Sequence, residues 1–129
     1  MNIPEDLKFT REHEWVRVDG NTATVGITDF AQSELGDLVY IEVDTVEDEL
    51  DKHEVFGTVE AVKTTSELFM PVAGKIIAFN SEIDEDEGDN PAVINEDPYG
   101  EGWIIRIELS DSSELEELLS PEEYKEIIS

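Results

Sequence analysis

The sequence predicts a mainly β fold, a barrel or sandwich with helices confined to its periphery. Short runs of alternating apolar and polar residues recur along it, and turn residues punctuate them at short intervals. No strand–helix–strand alternation of the nucleotide-binding kind is visible. At 129 residues the chain makes one domain, spanning 1–129. A chain of that size buries roughly 65–70% of its unfolded surface, enough for a core without metal or disulfide staples.

The elements follow in order. His13–Val18 ends in an alternating Trp-Val-Arg-Val strand, Asp19-Gly20-Asn21 is a turn, and Thr22–Ile27 alternates again, which makes a hairpin. Thr28 or Asp29 can cap a short helix through Phe30, Ala31 and Leu35 that Gly36 stops. Leu38–Val43 is β-branched and aromatic and reads as a strand, whereas Glu47–His53 is polar enough to be a loop. In Val55–Val62 the period-2 positions are Val55, Gly57, Val59 and Ala61; in Thr65–Val72 they are Leu68, Met70 and Val72. Only Lys63-Thr64 separates these two strands, so they form a second hairpin. Lys75–Phe79 starts another strand, Glu82–Asp89 is an acidic loop expected to be flexible, and Pro91–Ile94 is a short ordered segment before the Asp97-Pro98-Tyr99-Gly100 turn. Trp103–Leu109 alternates as a buried strand. Ser112–Leu119 and Pro121–Ile128 read as two short helices, the second with Pro at its first position, giving a helical segment over 112–128.

Composition removes several classes of function. Asp and Glu number 34 against 8 Lys and Arg, a formal net charge of -26. Such a chain has no basic footprint for phosphates, so nucleic acid is not an expected partner. With no cysteine there is no disulfide framework, thiolate metal site or cysteine nucleophile. No apolar run approaches the roughly 20 residues of a membrane span, and Met1–Lys8 lacks the pattern of a signal peptide. A soluble protein of the cytoplasm is the expectation. Charge spread along the whole chain, rather than gathered in a tail, reads as a surface suited to a high-salt cytoplasm of the halophilic kind. Docking on basic partners is the plainer alternative.

No self-sufficient catalytic apparatus is present. His13 and His53 are far apart and have no thiolate companions, the 8 glycines are scattered, and no serine sits in a Gly-x-Ser-x-Gly elbow. Among 34 acids, closeness of two carboxylates means little. Lys63 stands out. It is one of only five lysines, it sits at the tip of a hairpin whose strands are regular and apolar, and small or polar residues follow it. An ordinary solvated turn lysine is the plain alternative.

The stretch Val59-Glu60-Ala61-Val62-Lys63 resembles the lipoylation hairpin of lipoyl carrier domains. More of the chain is similar to the H-protein family of the glycine cleavage system. The matching segments are His13–Val16, Val25–Gln32, Leu35–Asp37, Gly57–Glu67, Pro71–Gly74, Asn90-Pro91, Ile94-Asn95, Pro98–Trp103 and Leu118–Tyr124, in family order over essentially the whole chain. Biotin carriers share the fold but flank their lysine with Met, where this chain has Val62 and Thr64.

The resemblance implies a barrel-sandwich hybrid of the lipoyl/biotinyl carrier type, with a lipoyl-binding core over 22–107. It implies lipoic acid joined to Lys63 as an amide, on an arm about 14 Å long when extended at about 1.2–1.3 Å per bond. It further implies a carrier rather than an enzyme, moving the aminomethyl group of glycine from a pyridoxal-phosphate glycine decarboxylase (P protein) to an aminomethyltransferase (T protein). Electrons would pass to dihydrolipoamide dehydrogenase (L protein). A lipoate ligase, or an octanoyltransferase with lipoyl synthase, would attach the arm, and a monomer is the expected resting state. Glu14 and Glu67 are the candidate cradle for the loaded arm, with Glu12 as a third; a solvated surface acid is the alternative for each. Two other readings stay open: an H-like relay that hands lipoyl or octanoyl groups to other enzymes, and an unmodified acidic adaptor. Trp15, Trp103 and Tyr124 read as packing residues.

Overall fold

A computed structural model describes residues 2–129. Among the described residues nine strands, all paired antiparallel, make two sheets. Strand β1 is Lys8–Phe9, β2 Glu14–Asp19, β3 Thr22–Ile27, β4 Leu38–Glu42, β5 Glu49–Leu50, β6 Val55–Ala61, β7 Thr65–Phe69, β8 Gly74–Phe79 and β9 Ile105–Leu109. The larger sheet has the order β1-β2-β3-β9-β8-β5 and the smaller β4-β6-β7. Helix α1 is Asp29–Leu35, α2 Ala92–Glu96 and α3 Pro121–Ile128, with a 3-10 helix over Ser112–Glu117. Among the described residues no helix is long and apolar enough to cross a membrane.

Local chemistry explains most of these boundaries. Gly20, at φ +64, takes the first position of the two-residue β2–β3 turn, as a type II′ turn requires. Thr28 caps α1 by accepting the Ala31 N–H at 3.1 Å, and Gly36 ends it at φ 79, ψ -157, a conformation open essentially to glycine alone. Ser120 and Glu123 form a reciprocal capping box at the start of α3.

The main core fills the space between the sheets and includes Val25, Ile41, Phe56, Val59, Met70, Ile76 and Ile107. A second cluster of Leu7, Phe9, Trp15, Tyr99 and Tyr124 lies where α3 meets β1. Trp15 is fully buried and its Nε1–H donates to the Pro98 carbonyl at 2.9 Å. Trp103 is half-buried against the same cluster, with Arg106 stacked over its ring at 4.6 Å. Both tryptophans therefore pack as expected.

Several sequence expectations need correction. A bulge between Val55 and Gly57 shifts the alternation of β6. Phe56 becomes fully buried while Val55 is 39% exposed, so Val55 is not a core residue. Gly57 is required there because a Cβ would stand 2.5 Å from the Glu42 carbonyl oxygen. The Glu47–His53 loop contains β5, a two-residue strand held by β8. Glu82–Asp89 is folded into turns and pinned by the buried Ile83, with Gly88 N–H donating to Ser81 O at 2.9 Å. The first C-terminal helix is a 3-10 turn over Ser112–Glu117, after which Leu119 pairs with Phe9. Strand β1 was not anticipated at all.

Candidate functional site: a lysine tip beside an acidic cleft

The β6–β7 hairpin carries Lys63 at its exposed tip. Two backbone bonds stiffen that tip. Ala61 N–H donates to Thr64 O at 2.7 Å across the turn, and Val62 N–H donates to Asp37 O at 3.0 Å. The second bond ties the tip to the chain just after α1. Val62 itself is 75% exposed, so the tip stands proud of the body. The Lys63 side chain lies over Gly36: an ideal Cβ on that glycine would sit 3.5 Å from Cε and 3.9 Å from Nζ. Among the described residues Lys63 makes no ion pair within 4.0 Å.

Leu35, the neighbour of Gly36, lines a cleft of about 350 Å³. The cleft is walled by the entry to β2, by α1 and by strands β6 and β7. Ile27, Phe30, Leu35, Val59 and Leu68 supply an apolar lining, and Glu12, Glu14, Glu34 and Glu67 supply carboxylates. Glu14 and Glu67, separated by more than fifty positions in the chain, are thus brought to one cavity together with Glu12. Lys63 does not line it; the tip approaches its edge through Gly36.

The carboxylates differ in setting. Glu67 is exposed. Glu14 is 1% exposed, yet not orphaned: one oxygen accepts the Thr10 hydroxyl at 3.0 Å and the other the Phe69 N–H at 3.1 Å. Burial disfavours its charged form more than those two bonds favour it, and its pKa is pushed up to about 8. Glu14 thus holds its proton to a higher pH than an ordinary carboxyl does. The surface-acid alternative fails for Glu14, since it is buried.

Sequence reasoning missed Phe30, Glu34 and His13 as members of the cleft. A signal for the first two was present: Phe30, Ala31, Glu34 and Leu35 repeat at helical spacing on one face of α1. His13 is hydrogen-bonded, with Nδ1 2.9 Å from the Tyr124 hydroxyl. His53 is solvated, its side chain 67% exposed.

A family model described as glycine cleavage H-protein matches residues 7–129. The glycine cleavage system H protein of Staphylococcus saprophyticus is 51% identical over 128 residues, covering 99% of this chain and 98% of the relative. That of Halalkalibacterium halodurans is 54% identical over 128 residues, covering 99% and 97%. Among solved structures, a glycine cleavage system H protein from Mycobacterium marinum superimposes with a TM-score of 0.84 at 35% identity, covering 96% of this chain and 97% of that one. The architecture is accordingly the barrel-sandwich hybrid of the lipoyl carrier type, and the chain belongs to the glycine cleavage H-protein family.

Proposed function

We propose that this chain is a lipoyl carrier of the glycine cleavage system, a presenting subunit and not an enzyme in its own right. The observation that carries the reading is a braced, exposed Lys63 close to an apolar cleft that carboxylates also line. The residues fit a lipoyl group. Ile27, Phe30, Leu35, Val59 and Leu68 offer an apolar berth for a hydrocarbon arm, and Glu14 with Glu67 offers countercharge to an amine at its end. Lipoic acid amide-linked to Lys63 would supply a sulfur pair able to carry a one-carbon amine and two electrons between enzymes.

This chain's own residues then have distinct tasks. Lys63 is the tether, held at a fixed place by the Val62–Asp37 bond. The apolar walls exclude water from the load. Glu14, neutral while the cleft holds no cation, ionises next to an ammonium and pairs with it, and the Thr10 and Phe69 bonds hold its oxygens in place. Glu67 and Glu12, both exposed, add charge from the lining of the same cleft. The β core over 22–107 carries the tether, and the 112–128 segment braces it. The partners on this reading are the P, T and L proteins, together with the enzymes that attach lipoate.

Intact mass of protein recovered from its native host tests the attachment: a lipoyl adduct on Lys63 is expected, and its consistent absence would leave the adaptor reading. Reconstitution with the three partner enzymes tests the role. Glycine-dependent NADH formation is expected; an adduct without glycine turnover would point instead to the lipoate relay.

A further inference from the structure

Tyr124 stands 111 residues from His13, yet its hydroxyl lies 2.9 Å from His13 Nδ1 and 2.7 Å from Thr28 Oγ1. The phenol cannot swing away. Its ring is fully buried and stacked on Phe9, with centroids 4.8 Å apart. Thr28 is equally buried, and its Oγ1 already accepts the Ala31 N–H as the cap of α1.

Counting donors and acceptors sets the direction of this chain of bonds. A threonine hydroxyl has one hydrogen to give, and a buried hydrogen needs an acceptor. Tyr124 Oη is the acceptor within reach of Thr28, so Thr28 donates to Tyr124 and Tyr124 donates to His13 Nδ1. Reversing the order would strand the Thr28 hydrogen. With Nδ1 accepting, the neutral ring carries its proton on Nε2.

We infer that Tyr124 is a positioning residue of the cleft: its hydroxyl holds His13 as an uncharged Nε2–H donor in the cleft wall and, through Thr28, sets the start of the helix that forms another wall. Rings and backbone support the arrangement. His13 packs on Phe30 at 4.9 Å, adopts φ 69, and accepts the Thr28 N–H at 3.0 Å through its carbonyl. The groups facing it are Glu12 beside it, Glu14 of β2, Glu34 of α1, Glu67 of β7 and Tyr124 of α3. Glu12 and Glu34 favour protonation, but burial outweighs them and holds the His13 pKa below its ordinary value. A charged imidazolium would offset the carboxylates that attract an ammonium; a neutral donor leaves them undiminished and offers a hydrogen bond to an acceptor such as an amide carbonyl.

The inference rests on the cleft being the berth of the lipoyl arm, and the test separates the two. Nitrogen-15 NMR of unmodified protein reads the tautomer of each histidine, with the solvated His53 as internal reference. Wild type should show His13 with its proton on Nε2. Tyr124→Phe, which keeps the stacked ring, should mix the tautomers. Thr28→Ser should preserve the wild-type signature and Thr28→Val should lose it. In protein loaded with the aminomethyl group, Tyr124→Phe should shorten the lifetime of the load several-fold while Thr28→Ser leaves it near wild type. An Nδ1–H tautomer in wild type, or an unmoved tautomer in Tyr124→Phe, overturns the inference. So does a changed tautomer with an unchanged lifetime. Absence of any adduct on Lys63 in the native host strikes the carrier reading itself, by a measurement independent of the NMR.

Discussion

The Glu14 carboxylate accepts the Phe69 N–H, and through that one bond strand β2 of the larger sheet is tied to strand β7 of the smaller. The tie is made at the wall of the cleft by a buried carboxyl whose pKa is pushed up to about 8. It is a structural joint between the two sheets and, on the proposed reading, the partner of the ammonium.

Glu14 makes stability fall as pH rises. Its folded pKa of about 8 lies above its ordinary 4.5, so protonation favours the folded state. That contribution is complete below the ordinary value and is lost as pH climbs to the folded one. At about 1.36 kcal/mol per unit, the loss is on the order of 5 kcal/mol. Urea unfolding from acid to alkaline pH should show the decline, and Glu14→Gln should flatten it. Identical pH slopes in the two proteins would refute the assignment.

Lys63→Arg keeps a cation at the hairpin tip but removes the acylable amine. The variant should fold with an unchanged melting temperature, carry no lipoyl mass, and give no glycine-dependent NADH in the reconstituted system. Retained activity would end the carrier reading.

Gly26 faces Trp15 across the β2–β3 ladder, and a Cβ there would stand 2.7 Å from the indole. Trp15 is fully buried and hydrogen-bonded to Pro98, so it has little room to yield. Gly26→Ala should cost about 2 kcal/mol, the scale of overpacking in a filled core. Calorimetry or chemical denaturation would check it; a loss below the scatter of the measurement would show that the indole shifts freely.

With a net charge of -26, self-repulsion opposes folding in dilute buffer. At about 1 M salt the Debye length is about 3 Å and most of that opposition disappears. A melting series in potassium chloride should rise steeply from millimolar to molar salt. A flat series would show that the acid load has some other purpose than life in brine.

Legibility followed the range of the forces involved. Both hairpins could be read because alternation and turn residues are local, and Lys63 could be singled out for the same reason. The two-residue strands β1 and β5 could not, since each exists only through a partner remote in sequence. The burial of Phe56 depends on a bulge that period-2 counting cannot anticipate. In the cleft, Glu14 and Glu67 came from resemblance alone. His13 escaped because its place is decided by Tyr124, and nothing in the neighbourhood of either residue announces the other.

The seam between Phe9 and Leu119, with Tyr124 stacked beside it, has a bearing on synthesis. A ribosome makes His13 and the tether hairpin long before it makes the helix that completes the wall behind them. The wall behind His13 therefore cannot close until α3 has been made.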